Sequence, residues 1–106
     1  DIYSENAHLG VKSMELGVNT HLGKPLKPYW VNIKGSKEIA ITAHVGDQWF
    51  PDVVFFDEDL RVLSGIKAEE SAKNLKLRVP ENAVYLKISD AVMLDNIKRG
   101  LSLHVK

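Results

Sequence analysis

Apolar side chains recur at every second position through most of this chain, and that period suits extended strands with one face on a core. Tyr29, Val31 and Ile33 alternate with Trp30, Asn32 and Lys34. Past Gly35-Ser36 the rhythm resumes, with Ile39, Ile41, Ala43 and Val45 set against Glu38, Ala40, Thr42 and His44. This reads as two strands joined by a tight turn. Leu75, Leu77 and Val79, then Pro80-Glu81-Asn82, then Val84, Leu86 and Ile88 read as a second hairpin, since proline and asparagine favour turns. After Gly100, Leu101, Leu103 and Val105 make a short closing strand.

Val53-Val54-Phe55-Phe56 breaks the alternation by being apolar on both faces, which suits a central strand covered on each side. Pro51 marks its start, because proline cannot donate to a ladder. Asp57-Glu58-Asp59 turns the chain into Leu60-Arg61-Val62-Leu63, a third hairpin. Ser13 to Val18 reads as an opening strand with Gly17 its weak point, and residues 1–12 as an N-terminal tail. Ala68 to Lys73 and Asp90 to Lys98 fit either single helical turns or loops. The expectation is an all-β chain: one antiparallel β-sandwich, immunoglobulin-like or jelly-roll-like, of about eight short strands over residues 13–106. No segment holds a helical apolar period over three turns, so a helical bundle is excluded.

Composition narrows the chemistry. With 106 residues there is room for one domain, which buries about two-thirds of its unfolded surface. The 14 Lys+Arg balance 14 Asp+Glu, so the chain lacks the strong basic field that nucleic acid selects. There is no cysteine, which excludes a thiolate nucleophile, a thiolate zinc site and a disulfide. No apolar run approaches the roughly 20 residues of a transmembrane segment. The chain begins with Asp1 and carries no signal peptide, which suggests a mature or excised piece.

The order of these pieces carries a resemblance. Leu16-Gly17-Val18, Pro28-Tyr29-Trp30-Val31-Asn32-Ile33, the run Phe50 to Arg61, Leu75-Lys76-Leu77 and Val84-Tyr85-Leu86-Lys87-Ile88 together resemble the β-sandwich domain of the maltose operon periplasmic protein family. The long low-complexity and helical C-terminal region of that family has no counterpart here, so no role located there carries over. Leu16-Gly17, Tyr29-Trp30 and Pro80-Glu81-Asn82-Ala83-Val84-Tyr85 also resemble the prepeptidase C-terminal domains appended to secreted proteases. Both resemblances imply an exported, non-catalytic module, periplasmic or secreted.

The residues themselves offer little catalytic chemistry. His8, His21, His44 and His104 lack the close spacing of metal ligands, and His44 and His104 fall on outward strand faces. The Asp57-Glu58-Asp59 turn offers oxygens to calcium but lacks the spaced carboxylates and glycine of a calcium loop; a solvated acidic turn is the plainer reading. No serine lies in a Gly-X-Ser-X-Gly elbow, and adjacent carboxylates do not flank a glycosidic bond. No catalytic residue, metal site or cofactor is therefore expected. Trp30 on an outer sheet face and Trp49-Phe50 in a loop are the candidate binding residues, because exposed aromatics serve sugars and protein partners. The plainer alternatives are that Trp49-Phe50 caps one end of the sandwich and that Trp30 packs under a loop. Lys24, Lys27, Lys34 and Lys37 precede an acidic stretch, and this asymmetry suits an anionic partner or, more plainly, a solvated face.

The expected function is a non-catalytic accessory or binding module of an exported bacterial envelope protein, linked to carbohydrate uptake or surface assembly. Its partner would be another protein, a domain of the same chain, or a glycan. The alternatives are a substrate-binding appendage of a secreted hydrolase and a purely structural packing domain.

Overall fold

The computed structural model describes residues 10–106. Nine strands run β1 (Lys12–Ser13), β2 (Asn19–Leu22), β3 (Tyr29–Asn32), β4 (Glu38–Ala43), β5 (Pro51–Phe56), β6 (Val62–Lys67), β7 (Asn74–Arg78), β8 (Tyr85–Asp90) and β9 (Leu101–Val105). They form a five-stranded sheet ordered β1-β3-β8-β5-β6 and a four-stranded sheet ordered β2-β9-β4-β7. The all-β sandwich is as expected. Every neighbouring pair is antiparallel except β1 with β3, which is parallel.

Alternation decides which side chains meet between the sheets. Val31, Val53, Leu86 and Ile88 of one sheet and Ile41 and Leu103 of the other are at most 1% exposed. Each such side chain contributes about 1.5–3 kcal/mol of transfer free energy. β5 begins at Pro51, as expected, and lies between β8 and β6. Its inward Val53 and Phe55 are buried, while outward Val54 and Phe56 are half-buried.

Three expectations about the strands need correction. The β3–β4 and β7–β8 pairs are not hairpins: in each, the two strands belong to different sheets, so the turn crosses the sandwich. Only β5 and β6, around Asp57-Glu58-Asp59, form the hairpin that local order suggested. The opening strand over Ser13 to Val18 is split, because turns after Met14 redirect the chain from β1 to β2 in the other sheet. Met14 N–H donates to Asn32 O at 3.0 Å and Gly17 N–H to Val105 O at 2.7 Å, so this link stitches the sheets together. Val45 does not continue β4 and is 86% exposed. Of the tail expected over 1–12, residues 1–9, His8 included, lie outside the described residues, and Lys12 stands in β1.

Candidate functional site

One end of the sandwich is closed by two buried carboxylates. Asp47, on the link from β4 to β5, accepts Arg99 N–H at Oδ2 (2.9 Å) and the Arg99 guanidinium at Oδ1 (2.6 Å). Burial alone would raise its pKa, but the Arg99 N–H, the guanidinium and its charge together hold the carboxyl below its ordinary 3.8. Asp90, at the end of β8, accepts Val92 N–H, Met93 N–H and Asn96 Nδ2 at Oδ1, and Phe50 N–H at Oδ2. These contacts anchor the 3-10 turn Leu94–Ile97, which lies in the Asp90 to Lys98 stretch, and fix the start of β5. Asp47 and Asp90 are structural residues, and the sequence pattern singled out neither for this role.

Trp49 belongs to this closed end. It is 0% exposed, and its indole N–H donates to Ser89 O at 2.9 Å. The expectation of an exposed loop tryptophan is therefore corrected: the ring is core, and no ligand can stack on it without opening the sandwich. Its neighbour Phe50 is half-buried, with its N–H held by Asp90. The structure thus separates the three candidates: Trp49 is core, Phe50 is half-buried outside the core cluster, and Trp30 stands apart on a sheet face.

Trp30 stands on the outer face of the five-stranded sheet, because Val31 beside it points inward. It pairs across the ladder with Lys87, whose ammonium lies 5.9 Å from the ring centroid, and it meets Phe56 with ring centroids 5.0 Å apart and planes tilted by 35°. Both the Lys87 ammonium and the tilted Phe56 ring thus lie against the indole. Beside it runs a groove of about 400 Å³ formed by β2, the Gly23 to Pro28 loop and the start of β3. Lys12, His21, Lys24 and Lys27 line it with Tyr29 and Trp30, and among the described residues no Asp or Glu does. Leu26 stands 92% exposed within the same loop. Tyr29 pins that loop by donating its hydroxyl to Gly23 O, and burial pushes its phenol pKa up to about 12. Sequence reading named Lys24 and Lys27 as a charge cluster but did not place them in one groove with Trp30, since the course of the Gly23 to Pro28 loop is set by the tertiary fold.

A larger concavity, about 920 Å³, opens at the turns β3–β4, β5–β6 and β7–β8. Charges of both signs line it, including Lys37, Glu38, Asp57, Asp59 and Arg78, and no aromatic ring does. Asp57 Oδ1 is taken by the N–H groups of Asp59 and Arg61, each at 2.9 Å, which is turn chemistry. Among the described residues no group of three carboxylate or histidine side chains could hold a metal ion. His44 lies beyond the end of β4 rather than on it, and its Nδ1 accepts Gly46 N–H at 2.9 Å. His104 is half-buried on β9.

The geometry has a counterpart among solved structures. The pre-peptidase C-terminal domain of a collagenase from Bacillus anthracis superposes with a TM-score of 0.55 at 15% identity, covering 91% of this chain and 94% of that domain. The likeness is one of fold. No family model matches the sequence, and the maltose operon resemblance gains no support. No curated protein matches it either. Among the described residues no helix is long and apolar enough to cross a membrane.

Proposed function

We propose that this chain is a non-catalytic accessory module of a larger exported protein, and that the groove beside Trp30 receives an acidic surface of another protein or of a neighbouring domain. The fold shared with a pre-peptidase C-terminal domain supports an appended, exported role. One observation carries the partner's chemistry: three lysines and His21 line, together with half-buried Trp30, a groove that no described carboxylate lines. Such a one-signed cleft attracts carboxylates and steers their approach. A glycan is the second reading, because tryptophan faces stack on sugars. It fits less well, since Phe56 and Lys87 already lie against the ring.

Tryptophan fluorescence tests both readings, because Trp49 is sealed in the core and a ligand-induced change reports Trp30. Titrating the 106-residue chain with polyglutamate should shift the emission. The effect should shrink as salt shortens the Debye length from about 10 Å at 0.1 M to about 3 Å at 1 M. It should vanish in Trp30→Phe and weaken in Lys24→Glu/Lys27→Glu. A flat response overturns the proposal. A response to maltodextrins and not to polyglutamate replaces it with the carbohydrate reading.

A further inference from the structure

The apolar side chains that stand furthest into solvent share one end of the sandwich. Among the described residues Leu26, Val45 and Val92 are the three most exposed large hydrophobics, at 92%, 86% and 66%. Register brings them to the same end: Leu22 and Ala43 both pair with Leu101, so the loops that leave β2 and β4 hang beside the one that enters β9. That last loop starts at Asp90, level with Pro51 at the head of β5, and carries Val92 and Met93. Each tip rests on a fixed base. Val92 N–H is held by Asp90 Oδ1 at 2.9 Å, the Lys73 ammonium donates to Val45 O at 3.1 Å, and Tyr29 pins the loop of Leu26 through Gly23 O. The tips are therefore held out by satisfied backbone and lose little freedom when something covers them.

We propose that this end docks on an anionic lipid bilayer, with Leu26, Val45 and Val92 entering the boundary between headgroups and acyl chains. Charge names the occupant. Lys24 and Lys27 flank Leu26, and Lys98 stands exposed on the loop of Val92. Asp47 and Asp90 at this end are buried and already bonded, which leaves Asp95 as the exposed carboxylate of the three loops. Lysines beside apolar tips bind anionic headgroups while their stems lie along the apolar boundary. A second copy of this end would set those lysines against their own kind. The tips also spring from three separate loops, and a fluid boundary admits separate protrusions without matching pockets. Glu69 and Glu70 lie on the loop from β6 to β7, at the margin of the sheets opposite β2, and that loop carries no large apolar tip. The docked molecule therefore leans toward its β2 side. Lys24 and Lys27 also line the groove beside Trp30, but Val45 and Val92 do not, and they separate this surface from that groove.

The chain has no cysteine, so a single thiol label reports one chosen place. An environment-sensitive dye on Val45→Cys should shift to the blue when the 106-residue chain meets phosphatidylcholine vesicles containing about 30% phosphatidylglycerol. The same dye on Val62→Cys, a 65% exposed position just past the β5–β6 turn at the other end, should not. Co-sedimentation with those vesicles should weaken about tenfold in Leu26→Ser and in Val92→Ser. It should weaken about tenfold or more when phosphatidylcholine stands alone. These side chains are exposed, and circular dichroism verifies that each variant stays folded. Absence of co-sedimentation at about 1 mM lipid overturns the proposal. So does an equal shift at both labels, or binding indifferent to the serine variants, the mark of lysine adhesion alone. Val92→Ser lies outside the groove and should leave the polyglutamate titration unchanged, so either reading can fail without the other.

Discussion

A methyl group on Gly100 has nowhere to go. The residue sits at φ +82°, and an added Cβ would fall 2.0 Å from Leu22 O and 3.2 Å from the Gly23 carbonyl carbon. Gly35 has a similar φ of +87° but open space around it. Gly35→Ala should therefore cost only the left-handed penalty of about 1–2 kcal/mol. Gly100→Ala must also push β2 off β9 and should cost about 3 kcal/mol or more, read as the difference in urea midpoints. Legibility at this scale was uneven. Gly100 was visible as a break before the closing strand, but what its missing side chain makes room for belongs to β2, 78 positions earlier at Leu22. Trp49 misled for the same reason: flanked by Gly46-Asp47 and Pro51 it looks like loop, and only the arrival of Ser89 makes it core.

Strands were legible and their partners were not. Period two reports the face each residue occupies, and Ile39, Ile41, Val31 and Ile88 face the core as expected. It says nothing about which strand lies alongside. Gly35-Ser36 and Pro80-Glu81-Asn82 are competent turns either between paired strands or between sheets, and the choice rests on contacts remote in sequence. The double-faced apolarity of Val53 to Phe56 came nearest, since β5 does lie between two strands, although its outward Val54 and Phe56 are half-buried rather than covered. The 3-10 turn was undecidable from pattern because a single carboxylate, not an apolar stripe, organises it. Asp90→Ala should remove that organiser, orphaning the N–H groups of Phe50, Val92 and Met93. A loss of about 3 kcal/mol is expected from charge-assisted bonds of this kind. Hydrogen exchange should accelerate first at those three amides.

For the molecule as a whole, two groups bound the pH range of greatest stability. Asp47 has a folded pKa below its ordinary 3.8, so the unfolded chain binds more protons in acid and stability falls as pH drops through that value. Tyr29 has a folded pKa of about 12 against an ordinary 10.0, so the native state holds its proton longer and stability falls as pH rises across that interval. Thermal unfolding midpoints against pH should show both limbs. Asp47→Asn should flatten the acid one and Tyr29→Phe the alkaline one, each at a lower plateau.

The place of β9 bears on how such a molecule comes into being. It lies between β2 and β4, and among the described residues β2 has no other neighbour in its sheet. During synthesis, therefore, β2 must wait, ladder unmade, while the 78 residues between Leu22 and Leu101 leave the ribosome. Until β9 emerges, the sheet has a gap between β2 and β4 where the buried Leu101, Leu103 and Val105 belong, and a nascent chain of this design is a natural client for chaperones.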